Sequence, residues 1–203
     1  RQLADIIRFY KPECILESGT WNGGRAIEMA LAAFKHQEKV HYIGFDLFED
    51  ATTDTDHVEF NVKPHNTLQA VRNRFEEFAK HIKDKEDKTF TFELYKGNVR
   101  ETLDRMLKTE EISDVDFALM GSGNSKETVE AEYKVLKHVP VVVADHYFTT
   151  DDDEGLPPEK YQGVKHVFDD VATKKVDAQE TTKDGWTNFD ESTATRKYIL
   201  PSG

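Results

Sequence analysis

The sequence predicts an α/β fold, a three-layer αβα sandwich around a mostly parallel sheet, and three observations carry that prediction. Five short apolar runs, at 14–17, 40–46, 89–96, 115–120 and 139–145, are separated by stretches with helical periodicity. Each run ends in glycine or a polar group: Glu17, Asp46, Gly97 with Asn98, Gly121 with Ser122, and Asp145 with His146. The first run also breaks into a glycine turn that opens a helix, ECILESGTWNGGR over 13–25. Strands alternating with helices give parallel sheets covered on both faces, with right-handed crossovers, and their ligands bind outside the carboxyl ends of the strands.

The elements follow from spacing. Leu3, Ile6, Ile7 and Tyr10 recur at helical intervals until Pro12 stops the helix, which predicts a short amphipathic helix against the first strand. In the glycine turn, Gly19, Gly23 and Gly24 permit positive φ and close approach of a ligand to the main chain, ahead of a helix N-terminus. Ala26, Ile27, Ala30, Leu31 and Phe34 form the next stripe, and VHYIGFD at 40–46 returns as a buried strand, completing a βαβ unit.

Residues 54–63 read as polar and irregular. Asn66 with Gln69 fits a capping box ahead of a long helix marked by Leu68, Val71, Phe75, Phe78 and Ile82, and KDKEDK at 83–88 reads as its solvated exit loop. Phe90, Phe92 and Leu94 alternate as a strand should, and Val99, Leu103, Met106 and Leu107 mark the following helix. Val129, Tyr133 and Leu136 give another helical stripe, and Tyr161, Val164, Phe168 and Val171 give one more beyond Pro157 and Pro158. Two β-like runs, near 176–181 and 195–200, close the chain around a turn-rich segment at 183–192 and predict an antiparallel pair on the sheet edge. With 203 residues and no internal repeat or linker, the expectation is a single domain over 1–203.

Composition narrows the partners. A net charge of −12, from 39 acidic and 27 basic residues, disfavours a nucleic-acid partner, whose affinity comes from Lys and Arg displacing counterions. No run of about 18 apolar residues is present, so no membrane span is expected. No leader precedes Leu3, although a chain beginning at Arg1 leaves a removed leader open. The lone Cys14 rules out an internal disulfide framework and favours a reducing compartment, the cytoplasm, with Cys14 itself packed in the first strand. A homo-oligomer is left open.

A glycine turn after strand one and an acid after strand two suit either a dinucleotide or S-adenosylmethionine, because both present a ribose diol. A dinucleotide site prefers G-x-G-x-x-G, whereas Thr20 and Trp21 follow Gly19 here and the next glycine is Gly23. S-adenosylmethionine carries no phosphate and is cationic, which suits a pocket containing Glu17.

The series ILESGTWNGG, GFDLFED, KGNVRETL, VVVADHYF and YQGVKHVFDD occurs in the order and approximate spacing of one family. The chain resembles class I S-adenosylmethionine-dependent methyltransferases, and among them small-molecule O-methyltransferases related to macrocin O-methyltransferase, over roughly residues 3–200. The resemblance implies a Rossmann-like fold with a seven-stranded sheet ending in an antiparallel strand pair. It also implies methyl transfer to a small-molecule acceptor, at oxygen. By position it puts Glu17 near the methionine moiety, with Gly19, Thr20 and Gly23 as a main-chain wall and Trp21 over the cofactor or shielding the turn. Asp46 would take the ribose hydroxyls, Leu47 would lie against adenine, and Asn98 followed by Val99 would meet the adenine edge. The segment 121–124, including Ser122, would run beside the methyl group, and Asp145 with His146 would form the catalytic end of strand five.

The family's acid after strand four is absent, since the segment reads Met120, Gly121, Ser122, Gly123, Asn124. A divalent metal is therefore disfavoured, because hard cations need several oxygen ligands and Asp145 beside His146 is a poor start. Methyl transfer needs alignment and removal of an acceptor proton rather than a metal, and His146 reads either as that base or as a solvated loop residue. Asn98 with Glu101 and Asn124 with Glu127 also fit capping boxes, so each asparagine has a purely structural reading. The acidic run at 151–154 reads as a solvated loop or a lid. A protein that binds the cofactor without transferring a methyl group and a nicotinamide-dependent oxidoreductase are the alternatives.

Overall fold

A computed structural model of the chain describes residues 2–61, 63–108, 114–145, 159–171, 186–190 and 195–199. Its elements are, in chain order, α1 (Gln2–Tyr10), β1 (Cys14–Ser18), α2 (Gly24–Ala33), β2 (Lys39–Asp46), α3 (Thr53–Val58), α4 (Leu68–Glu86) and β3 (Thr89–Lys96). They continue with α5 (Val99–Lys108), β4 (Phe117–Met120), α6 (Lys126–Leu136), β5 (Val141–Ala144), α7 (Glu159–Val171), β6 (Trp186–Asp190) and β7 (Thr195–Ile199). A 3-10 turn, Phe48–Asp50, follows β2.

Five parallel strands in the order β3-β2-β1-β4-β5, flanked by helices, form the α/β framework. β7 continues the sheet parallel to β5, and β6 pairs antiparallel with β7 beyond it. The chain places β6 inside the segment expected to be a turn, and the run expected to be its strand, 176–181, lies outside the described residues. Asp184, Gly185, Asp190 and Ser192 give that segment its turn-like composition, while Trp186, Thr187 and Phe189 between them are strand-favouring types.

Strict period-two alternation assigns side chains to the two faces. Ile15, Tyr42, Phe117, Leu119, Val141 and Val143 pack in one core with Ile7, Met29, Phe34 and Phe75 from α1, α2 and α4. Leu16, Ile43, Ala118, Met120, Val142 and Ala144 point the other way and pack with Leu103, Val129, Leu136 and Phe168 from α5, α6 and α7. β1, β4 and β5 are buried along their whole length, as strands covered on both faces must be. Register then aligns Ser18 with Phe45 and Met120, and Met120 with Ala144, so the strand ends open onto one rim.

Local capping differs from the sequence reading at four places. Residues 54–63 are not irregular throughout: α3 forms there, closed by a reciprocal Thr52–Thr55 capping box in which threonine replaces the usual Glu or Gln. The cap of α4 is Thr67 rather than Asn66, and its hydroxyl accepts from the Ala70 N–H. The charged end of α4 stays helical to Glu86, with Lys83 bonded to Asp87 at 2.6 Å and lysines favourable in the last turn. Ser125, not Asn124, caps α6.

Candidate functional site

The sheet order reverses between β1 and β4, and the loops after these strands meet there. Gly19 has φ +88°, and a Cβ on it would stand 2.6 Å from the carbonyl oxygen of Gly121, so only glycine allows the two loops to close this way. Gly23 also has positive φ, but a Cβ there would strike Phe75 of α4 at 2.5 Å. Gly23 thus serves the packing of α4 on the turn and does not line the cavity formed above the crevice.

That cavity measures about 610 Å³, within the roughly 300–1,000 Å³ of small-ligand pockets. Glu17, the last acid of β1, is 1% exposed at its floor and accepts the Tyr42 hydroxyl at 2.6 Å. The Tyr42 hydroxyl is in turn 3.0 Å from that of Thr20. Burial pushes the Glu17 carboxyl up to about 8, against the Tyr42 hydrogen bond and the Arg25 charge, which favour ionisation.

Asp46 ends β2 at the cavity wall. One of its oxygens accepts the Trp21 N–H at 2.7 Å and the other the Phe48 N–H at 2.8 Å, which leaves a lone pair on each. Trp21 adopts φ 50° and its indole donates to the Pro64 carbonyl at 2.8 Å. Leu47, Asn98 and Val99 extend the same wall. Asn98 also opens α5, its side chain accepting from Arg100 N–H and its carbonyl from Thr102 N–H.

At the opposite end, Arg25 in the first turn of α2 donates to Asp145 at 2.8 Å. Both line the cavity, as does Ser122, whose hydroxyl bonds to Glu132 of α6. Glu132 is 1% exposed, and burial raises its carboxyl to about 7 despite the Ser122 bond. His146 lies outside the described residues, as does the acidic run at 151–154. Among the described residues, no group of three or more His, Cys, Asp and Glu side chains is arranged to hold a metal ion. Among the same residues, no helix is long and apolar enough to cross a membrane.

Asp54, Asp56, Glu59, Asn61, Lys63 and His65 also line the cavity. Glu59 reaches across to α6, where its carboxylate accepts the N–H groups of Asn124 at 2.7 Å and Ser125 at 2.9 Å and the Thr128 hydroxyl at 2.6 Å. Asn124 therefore does not cap α6; it donates from Nδ2 to the Glu59 carbonyl at 2.6 Å, and its buried Oδ1 has no hydrogen-bond partner among the described residues. Pro64 rests on Trp21.

The sequence reading missed Arg25, Tyr42, Glu59, His65 and Glu132. Glu132 carried a signal, because an acid between Val129 and Leu136 stands on the apolar stripe of α6. Glu59 carried none, since its partners lie more than 60 positions away.

No protein-family model and no curated protein sequence matches the chain. Solved structures do. The chain is similar to CalS11, a calicheamicin methyltransferase, at 17% identity and a TM-score of 0.55, over 98% of this chain and 74% of that one. An apo structure of CalS11, described as a TDP-rhamnose 3'-O-methyltransferase, aligns at 16% identity and a TM-score of 0.52, over 97% and 76% of the two chains. The chain has the fold of these small-molecule methyltransferases.

Proposed function

We propose that the protein is an S-adenosylmethionine-dependent methyltransferase of class I, with the seven-stranded sheet of that class, acting on a small-molecule acceptor at oxygen. The observation that carries the reading is the buried Glu17 beneath the Gly19–Gly121 crevice, with Asp46 on the neighbouring strand end. Asp46, Asp54 and Asp56 add carboxylates to the lining and favour a cationic ligand over a pyrophosphate, and Glu17, held protonated by burial, can ionise against such a cation. Glu17 would face the methionine ammonium, the spare lone pairs of Asp46 would accept the ribose diol, and Leu47 and Val99 would flank the base. Bound there, the cofactor supplies a methyl group already activated by the sulfonium. The protein's part is to align the acceptor and hold its proton.

Two observations favour the second reading, a binding protein without transfer activity: the segment after β4 carries no acid, and Asp145 is engaged by Arg25. Isothermal calorimetry with S-adenosylmethionine, S-adenosylhomocysteine and NAD separates the readings. Binding of the first two and not of NAD is expected. Failure of both to bind overturns the proposal, and binding without S-adenosylhomocysteine production across an acceptor panel favours the second reading.

A further inference from the structure

The cavity lining carries a histidine and a carboxylate that the sequence reading left unassigned. His65 Nε2 lies 2.7 Å from Asp56 Oδ1, both side chains are about 30% exposed, and both line the cavity. Their arrangement is braced. Asn61 donates from Nδ2 to the same Asp56 oxygen at 3.0 Å and to the Lys63 carbonyl at 3.2 Å, and its own Oδ1 accepts the Lys63 N–H at 3.1 Å. The Asn61 N–H closes onto the Asp56 carbonyl at 2.8 Å, so the turn holding the pair is tied at both backbone and side chain. The turn is held to the body through Glu59 on α6 and Pro64 on Trp21.

Chemistry gives the pair a direction. Nε2 also lies 3.2 Å from Asn61 Nδ2, but both protons of that amide are directed to Asp56 and to the Lys63 carbonyl; a carboxylate accepts only, so Nε2 is the protonated nitrogen, and Nδ1 of the neutral ring keeps its lone pair. Histidine oriented by a carboxylate in this way is the arrangement that general bases use, the carboxylate fixing the tautomer. Among the described residues, the other candidates for this role are engaged, Asp145 by Arg25 and Glu17 by Tyr42 under the floor, while His146 lies outside those residues.

We infer that His65, oriented by Asp56, is the base that takes the proton of the acceptor hydroxyl. The inference rests on the methyltransferase reading above. The O–H bond breaks as the O–CH₃ bond forms, and the proton passes to His65 Nδ1. The electron pair of the C–S bond returns to sulfur, leaving a neutral thioether, and no oxidant or further reactant is needed.

The test uses the full chain labelled with ¹⁵N-histidine, and needs no acceptor. Long-range ¹H–¹⁵N spectra are expected to show His65 as the Nε2–H tautomer, and Asp56→Ala is expected to abolish that preference. The His65 Nδ1 resonance is expected to differ between the S-adenosylmethionine and S-adenosylhomocysteine complexes, which differ by one methyl and one positive charge. Calorimetry on the same samples keeps the two readings apart. If both ligands bind wild type and the variant, but His65 is the Nδ1–H tautomer or Nδ1 is identical in the two complexes, the inference falls and the methyltransferase reading stands. If neither ligand binds wild type, both fall. Retained binding by Asp56→Ala also shows that the variant is folded.

Discussion

Arg25 and Asp145, 120 positions apart, meet at 2.8 Å and tie the first turn of α2 to the end of β5 across the crevice. A cation in a first helical turn opposes the helix dipole, so Arg25 is held there by its partner rather than by the helix. Asp145 is 11% exposed at its side chain and Arg25 41%. Removing the cation therefore takes a 2.8 Å charge partner from a mostly buried carboxylate. Arg25→Ala is expected to cost about 1–2 kcal/mol at pH 7, less than a fully buried pair because the guanidinium is solvated. Urea unfolding at pH 7 of the two single variants and of the double variant with Asp145→Asn measures it, and additive effects would show that the two residues do not couple.

Asp46 holds Trp21 and Phe48 by their backbone N–H groups and faces the cavity with what remains. Asp46→Ala is expected to weaken S-adenosylhomocysteine binding more than tenfold, about 1.4 kcal/mol or more. An unchanged dissociation constant by calorimetry removes Asp46 from the site.

Glu17 gives stability a pH dependence of unusual sign for a carboxylate. Its folded value of about 8 lies above the unfolded 4.5, so the native state holds a proton that the unfolded chain has released. Stability from this group is fully present below about pH 4.5 and is lost as pH rises to about 8, by an amount of the order of 5 kcal/mol. Glu132, raised to about 7, acts in the same direction over a narrower window. Thermal midpoints are expected to fall between pH 5 and 8.5 in wild type, and Glu17→Gln is expected to flatten that fall. An equal fall in both proteins contradicts the assignment.

Ligand binding extends the same argument. If the cofactor's ammonium draws Glu17 into its charged form, binding at pH 7 releases a proton. Calorimetric enthalpies in buffers of different ionisation enthalpy are expected to diverge for wild type and to converge for Glu17→Gln.

Glu59 is the latch of the segment that lines the cavity, with one carboxylate accepting from three residues of the α6 start. Glu59→Ala is expected to speed amide hydrogen exchange in α3 and in residues 59–67 at least tenfold while leaving β1, β4 and β5 protected. Unaltered exchange in α3 would show that other contacts hold the segment.

Cys14 is buried in β1, and burial together with Asp116 pushes its thiol up to about 12. Iodoacetamide at pH 8 is expected to leave it unmodified in the folded protein and to alkylate it in urea. Rapid native labelling would contradict its burial.

Much of the framework was legible in the chain, because period-two and period-3.6 patterns report directly on which side chains must leave water. The placement of Glu17, Asp46, Asn98 and Asp145 along one cavity was legible for a related reason: a polar residue at or just past the end of an apolar strand has its position set by that strand. Short-range capping was read less well, since Thr67 and Ser125 cap α4 and α6 where Asn66 and Asn124 were expected. The sequence by itself determined the alternation of strands and helices, the rim on which a ligand would sit, and the glycine turn beneath it. Only the tertiary structure decided that Gly19 meets Gly121, that Gly23 faces Phe75 instead of the cavity, that Arg25 pairs with Asp145, that Glu59 bonds the start of α6, and that His65 joins the cavity lining. Periodicity encodes the burial of each segment, whereas these contacts depend on which strand ends the fold brings side by side, a relation between distant positions that no local pattern carries.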